Sequence, residues 1–556
     1  MTRMTGKRAL METLKAEGVQ YIFGNPGTSE SPIMDALEGF PDIRYVLATQ
    51  EGVAMGMADA YARATGKPSF VNLHIETGLA NGISLLHNAN EGGTPLVLSA
   101  GNKDMRELAH GRTDLAGMVR QFTKWSVEVT HPEAVPVVLQ RAFNEAKTPP
   151  TGPTFVAFSA DALDGEADVE IVPSALSYPH TPPDRRAIED AAGLLAEATN
   201  PVMLVSDRVA QSGAADEAVN VAELLGAKVY ASAYSEMNFP TSHSQFMGRV
   251  RLGYPETVDL LSQADVLLVV GKLASGYYMF SEPNLRYLGP KTRLVHIDQD
   301  ARGVGSTQRT EVAMVADPKA ALVELAYALE SSMSGSAREA AKSRAVSAAE
   351  DKEAQRSAWQ RRLKERWDAK PMSAERMVSE LASALPPDTI VVDDAVTTGM
   401  ALHSAIQFDE PGSVYGGRGG ALGWGMGGAM GVKLANPDRP VVAVVGDGSA
   451  MMTVQGLWTA ATENIPVVYV ICNNGVYRVL KVNMDHYKTR VLKEDAPRSR
   501  YIGMDFPIPL DMAGMAEAMS VHGRKVTDPT EIGPAVREAL ALGKPALLDV
   551  SIDGTV

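Results

Sequence analysis

Val441-Val442-Ala443-Val444-Val445 is an unbroken apolar run, largely β-branched, that ends in Gly446-Asp447-Gly448-Ser449. A run that is apolar at every position has no side to offer water, so it reads as a parallel strand covered on both faces. Met451 to Glu463 then has helical spacing, and Val467 to Cys472 is a second apolar run, ending in Asn473-Asn474. Two buried parallel strands joined by a crossover helix require a sheet with helices on both faces, the doubly wound α/β arrangement. Ligands in such sheets collect at the carboxyl ends of the strands, where Asp447 and Asn474 stand. One carboxylate and one amide oxygen form a hard-oxygen pair suited to Mg²⁺, which keeps water and takes further ligands from phosphate. The flanking glycines let backbone N–H groups approach an anion. Either turn alone is common in loops; both at successive strand ends are far more specific.

The same punctuation recurs from the start of the chain. Tyr21-Ile22-Phe23 leads into Gly24-Asn25-Pro26-Gly27-Thr28, and Tyr45-Val46-Leu47-Ala48 into Gln50-Glu51 and a helix through Arg63. Phe70-Val71-Asn72-Leu73 ends at His74. If these strands are neighbours, Thr28, Glu51 and His74 meet at one sheet edge. Prolines between Ser177 and Arg185 mark a linker. A second α/β unit follows, with strands at 201–205, 228–230, 265–271 and 294–298. Gly271 and Asp298 sit where a dinucleotide site would want them, but no G-x-G-x-x-G opens a helix there. The Ala/Glu/Lys/Arg/Ser-rich stretch after Met333 reads as a solvated helical connector. A third unit adds a strand at 390–394, the glycine-rich stretch 416–431 and a final strand at 546–550. The expected organisation is therefore α/β throughout, with three doubly wound parallel-sheet domains at 1–180, 186–335 and 372–556 and a connector at 336–371. A chain of 556 residues suits three to four units of about 150 residues.

Composition narrows the function classes. A net charge of −15 leaves no basic surplus for a nucleic-acid partner. No apolar run reaches the ~18 residues of a membrane span, and Met1 to Gly18 lacks a signal-peptide apolar block. Cys472 is the only cysteine, which rules out an internal disulfide and any multi-cysteine metal site. A cytoplasmic enzyme is the expectation.

Gly24-Asn25-Pro26-Gly27, Gln50-Glu51, Asn72-Leu73-His74, Lys124-Trp125-Ser126, Leu422-Gly423-Trp424, Gly446-Asp447-Gly448-Ser449, Leu457-Trp458-Thr459, Asn464-Ile465-Pro466 and Asn473-Asn474-Gly475 together carry a resemblance. The chain is similar, over essentially its whole length, to the thiamine-diphosphate (ThDP)-dependent 2-keto acid decarboxylase and acetohydroxyacid synthase superfamily, and within it to the benzoylformate decarboxylases. The resemblance implies pyrimidine-binding, central and diphosphate-binding domains in that order. It implies a homodimer or homotetramer whose cofactors lie between the first domain of one subunit and the third of another. Asp447, Asn474 and the Val476 carbonyl would hold Mg²⁺ on the diphosphate. Gly448 and Ser449 would donate to phosphate oxygens, and Thr397 and Tyr477 would complete the cofactor contacts. Glu51 would bond the aminopyrimidine ring and promote its role in removing the thiazolium C2 proton, through a buried acid. Leu422 would support the bent cofactor from below, and the Gly420 carbonyl would accept from its amino group.

On the substrate side the likeness assigns His74 to proton transfer and Thr28 to the place of a serine that contacts the substrate carboxylate. Tyr278 falls where a second histidine is expected, His110 where the pocket is apolar, and Asn483 where an aromatic is expected; Leu480 joins the pocket. Lys481 to Arg500 is a longer basic segment, either a solvated loop or a mobile lid for an anionic substrate. The departures share a direction, towards a pocket more polar than one for a phenyl group. The expected reaction is ThDP- and Mg²⁺-dependent decarboxylation of a small 2-keto acid to an aldehyde and CO₂. The alternatives are a carboligase, a 2-hydroxyacyl-CoA lyase, or a non-catalytic ThDP-fold binding protein.

Overall fold

A computed structural model describes residues 1–175, 180–232, 236–251, 254–273, 288–495 and 500–556. β1 (Thr2–Thr5) stands outside the main sheets. The first main sheet is built from β2 (Tyr21–Asn25), β3 (Arg44–Leu47), β4 (Ser69–Leu73), β5 (Leu96–Asn102), β6 (Trp125–Val129) and β7 (Thr154–Ser159), in the order β3-β2-β4-β5-β7-β6. β8 (Glu166–Val169) pairs antiparallel with β1. The second sheet takes β9 (Pro201–Val205), β10 (Lys228–Ser232), β11 (Phe246–Val250), β12 (Val266–Val270), β13 (Arg293–Asp298) and β14 (Val312–Val315). Its order is β11-β10-β9-β12-β13-β14. The third takes β15 (Ile390–Asp394), β16 (Val414–Gly416), β17 (Val441–Gly446), β18 (Val468–Asn473), β19 (His522–Val526) and β20 (Ala546–Ser551), ordered β16-β15-β17-β18-β20-β19.

Every pairing within these three sheets is parallel. Strands with interior places in their sheets, β4, β5, β7, β9, β12 and β15, are buried along their whole length. The first and third sheets share one strand order. The second has the 3-2-1-4-5-6 order of dinucleotide-binding folds, without the glycine fingerprint that would go with it. Among the described residues no helix is long and apolar enough to cross a membrane.

Three elements differ from expectation or sharpen it. Helix does not run from Met451 to Glu463: Asp447–Ala450 is one short turn and the helix proper is Gly456–Thr462. Between them Thr453 is buried and its hydroxyl donates to the Gly423 carbonyl at 2.6 Å, which pins the chain to the glycine loop. Nor is the start of the basic segment loop. Arg478–His486 is a helix that continues into a turn of π-helix, Tyr487–Val491, and the Lys481 ammonium meets Asp505. The connector is a helix of 31 residues, Gly335–Glu365, which buries only Ala341, Ala348, Trp359 and Leu363, as its composition implies.

The first and third units share one core because the helices Glu51–Thr65 and Trp424–Ala435 cross at glycines. A Cβ on Gly427 would lie 2.5 Å from the Val53 carbonyl oxygen, and one on Gly431 would lie 2.1 Å from that of Met57. Backbone against backbone is the contact, and only glycine permits it. The second unit keeps a core of its own.

Candidate active site

Because β3, β2 and β4 are neighbours, the residues that follow them converge where the strand order reverses, the usual ligand position of such a sheet. Glu51 opens the helix Glu51–Thr65, after Gln50, whose side chain accepts from the Val53 N–H at 3.0 Å. It is buried, and two amides aim it: Asn25 donates to Oε1 and Asn81 to Oε2, each at 3.0 Å. His74 follows β4. Its Nδ1 lies 2.9 Å from both Ser29 Oγ and Glu30 Oε2. A Cβ on Gly78 would sit 3.2 Å from both Glu51 Oε1 and His74 Cβ, so the acid and the imidazole flank that glycine. Thr28 is exposed at the start of the short helix Thr28–Glu30. Thr28, Glu51 and His74 thus follow three neighbouring strands. His110 ends the short helix Met105–His110 in an exposed position, and no described contact joins it to Glu51 or His74. Tyr278 lies outside the described residues.

The second cluster sits at the corresponding edge of the third sheet. Asp447 is buried; its Oδ1 accepts from the Gly448 N–H at 2.8 Å, and its Oδ2 from the N–H groups of Asn474 at 3.1 Å and Gly475 at 2.7 Å. Burial pushes its carboxyl up from the ordinary value, against the pull of those three donors. The Asn474 Oδ1 accepts from the Val476 N–H at 3.0 Å. These oxygens fit a hard divalent cation: a positive charge would offset the burial of Asp447. Among the described residues no group of three or more His, Cys, Asp or Glu side chains could hold a metal ion. A cation here would therefore draw on amide and backbone oxygens and on a ligand's phosphates.

Above this cradle the Tyr477 ring stacks edge-on against Phe506 at 4.8 Å, and a Cβ on Gly448 would meet that ring at 2.5 Å. Leu480 and Asn483 lie half-buried on the helix Arg478–His486. Thr397 and Asn474 line a cavity of about 280 Å³ together with Thr398, Arg362, Arg366 and Arg478. The Ser449 hydroxyl, expected to reach a phosphate, donates instead to Asp394 Oδ2 at 2.5 Å and accepts from the Gly423 N–H at 2.8 Å. Asp394 is buried, and burial pushes its carboxyl up to about 6.

The loop carrying Gly420 and Leu422 is fixed by the first unit. Gly419, Gly420 and Gly423 have φ of 73°, 85° and 90°, which glycine adopts at least cost. From the helix Ile75–Gly92, the Asn88 side chain donates to the Ala421 carbonyl at 2.8 Å and accepts from its N–H at 3.0 Å. Leu422 stays partly exposed beside the buried Gly423, as a residue kept for a ligand would.

The sequence reading assigned no role to Asn25, Glu30, Asn81, Asn88 or Asp394. Asn25 stands inside a quoted motif and Glu30 just past it, which was the available signal. The pairings themselves join residues 26 to 333 positions apart, beyond any local pattern.

Residues 4–122 match the family described as thiamine pyrophosphate enzyme, N-terminal TPP binding domain. Residues 188–325 match the central domain of such enzymes, and residues 394–550 their C-terminal TPP binding domain. The chain is 31% identical over 555 residues to a benzoylformate decarboxylase of Pseudomonas aeruginosa, covering 98% of each. It is 28% identical over 570 residues to a sulfoacetaldehyde acetyltransferase of Castellaniella defragrans, covering 97% of this chain and 90% of that one. Among solved structures, a thiamine diphosphate-dependent 4-hydroxybenzoylformate decarboxylase of Rhodococcus jostii RHA1 superposes with a TM-score of 0.82 at 28% identity, over 99% of both chains.

Proposed function

The chain belongs to the thiamine pyrophosphate enzymes, and on that premise we propose that it decarboxylates a 2-keto acid to an aldehyde and CO₂, with Mg²⁺, in a pocket more polar than one for a phenyl ring. The observation that carries this reading is the pairing of Glu51 with His74. A buried carboxylate aimed by Asn25 and Asn81 stands across Gly78 from an imidazole held by Glu30. When bound, thiamine diphosphate supplies the electron sink for carbon–carbon cleavage.

The residues of the chain do the rest. Asp447 and Asn474 would hold Mg²⁺ with their side-chain oxygens. Leu422 would support the cofactor from a loop that Asn88 holds in place. Glu51 would hydrogen-bond the aminopyrimidine ring and hold or release a proton at its carboxylate. His74 moves a proton at the substrate carbonyl oxygen, and the Thr28 hydroxyl meets the substrate carboxylate. Thr28 and Asn483 shift the preference towards a polar side chain on the keto acid. The working molecule is at least a dimer, with each site completed by a second subunit.

Incubating the purified protein with ThDP, Mg²⁺ and a panel of 2-keto acids tests this directly. CO₂ and an aldehyde in equal amounts are expected from at least one member. If none yields either product, the decarboxylase reading fails. The likeness to an acetyltransferase favours a second reading, in which the activated fragment passes to another acceptor. A ligated product from keto acid pairs, or formyl-CoA from a 2-hydroxyacyl-CoA without CO₂ from keto acids, would move the assignment there.

A further inference from the structure

Glu30 has no part in the chemistry assigned above, yet it is fully buried beside His74. A buried carboxylate is costly unless its oxygens are bonded, and here four donors converge on it. Oε1 accepts from Ser29 Oγ and from the Gly101 N–H, each at 2.8 Å. Oε2 accepts from the Gly27 N–H and lies against His74 Nδ1, each at 2.9 Å. Those four contacts use the acceptor positions a carboxylate has. The backbone is shaped around them as well. A Cβ on Gly101 would fall 2.8 Å from Glu30 Oε1, and one on Gly27 would fall 2.1 Å from His74 Nδ1. Ile75, next after His74, takes a φ of +26°, uncommon for a β-branched residue. Three separate segments are thus bent to bring one carboxylate to one ring nitrogen.

We propose that Glu30 is the positioning residue for His74. Its carboxylate keeps a proton on Nδ1, fixes the plane of the ring and leaves Nε2 as the atom that exchanges protons with the substrate. Which nitrogen of a histidine carries the proton is set by the bond its other nitrogen makes, and an acid that cannot turn away sets it permanently. The surrounding groups do not compete. Tyr45, from β3, is kept neutral by burial and by the charge of Glu30. Glu51 faces the ring across Gly78, and Glu76 is the acid on the helix that follows His74. No described hydrogen bond joins either to Nδ1, while Ser29 Oγ shares that nitrogen with Glu30. The proposal rests on the reading of His74 as the proton-transfer residue.

A mutant cycle tests it. Glu30→Gln keeps the shape but presents a donor where Gly27 and His74 need an acceptor. We expect kcat to fall at least about tenfold, with KM and ThDP affinity changed less than about twofold. In a His74→Ala background the same change should cost less than about twofold, because two residues acting as one unit are not additive. Equal losses in both backgrounds would show that Glu30 acts on the fold and not through His74. If His74→Ala leaves kcat unchanged, the underlying reading of His74 falls; if His74→Ala is impaired and Glu30→Gln is not, only the present proposal falls. Should Glu30→Gln not fold, histidine-labelled unmodified protein gives an independent measure. The ¹⁵N signal of His74, identified by its loss in His74→Ala, should report a proton on Nδ1, and a neutral ring protonated on Nε2 would overturn the proposal.

Discussion

At the residue scale the decisive groups are acids placed without water. Asp394 is enclosed behind Ser449 and the Gly425 N–H, and burial raises its carboxyl from 3.8 to about 6. A carboxyl whose folded-state pKa lies above its unfolded value binds its proton more tightly in the folded protein. It therefore favours folding fully below pH ~4, and that contribution is lost as pH rises through about 6. Two units correspond to about 3 kcal/mol. For protein freed of metal and cofactor, Asp394→Asn should grow more stable relative to the unmodified chain between pH 4 and pH 7, read from urea midpoints. A difference that stays constant over that range would mean that Asp394 does not titrate there. Asp394 could be located in the sequence only as the end of a strand, since its partner Ser449 stands 55 positions away. Asp447 and Asn474 were legible because both end apolar strands. Glu51 needed the family likeness as well, for nothing local distinguishes it from a carboxylate that caps a helix.

Strands were the most legible elements, because a run buried on both faces is mostly apolar. Helices at the site were less so. The helical spacing after Met451 is real, but a single hydroxyl, that of Thr453, interrupts it through a bond to a residue 30 positions earlier. The glycine-rich stretch was legible as a loop next to a ligand; its second half is a helix, Trp424–Ala435. Its glycines serve packing. Replacing a helical glycine by alanine ordinarily stabilises by about 1 kcal/mol. At Gly431 the added methyl would meet the Met57 carbonyl oxygen at 2.1 Å, a backbone atom that cannot rotate away. Overpacking of this kind costs about 1–3 kcal/mol, so the steric cost outweighs the gain. Gly431→Ala should therefore lower the denaturation midpoint. Gly193→Ala, inside the helix Arg185–Ala196 with nothing within 4 Å of the new methyl, should raise it. The prediction fails if both substitutions move the midpoint the same way.

For the whole molecule, the number of α/β units could be counted from recurring strand and helix punctuation, whereas the order of strands could not. Order is a property of the connections, and the central sheet differs from its two neighbours in nothing that periodicity displays. Charge joins the units where their cores are separate. Arg63 of the first unit and Arg418 of the third both donate to Glu236 of the second, at 2.8 and 2.5 Å, and Arg418 also meets Asp207. Burial would push Asp207 up, but the guanidiniums of Arg418 and Arg63 hold it below the usual carboxylate range. Breaking such a buried set is costly, so the units of one chain keep a fixed relation. Within that block, the described hydrogen bonds to Glu51 come from Asn25 and Asn81, and those to Asp447 from residues 448, 474 and 475. The groups that aim each of these two acids come from its own unit. If a cofactor spans two subunits, as the family likeness implies, Glu51 and Asp447 of one site belong to different chains. Glu51→Gln and Asp447→Asn should then each abolish turnover alone, yet recover it when the two variants are dissociated, mixed in equal amounts and reassociated. In a two-fold symmetric dimer half the molecules are then hybrids, each with one intact and one doubly altered site. About a quarter of unmodified activity should return. Recovery no greater than the summed residual activities would place both residues of a site on one chain.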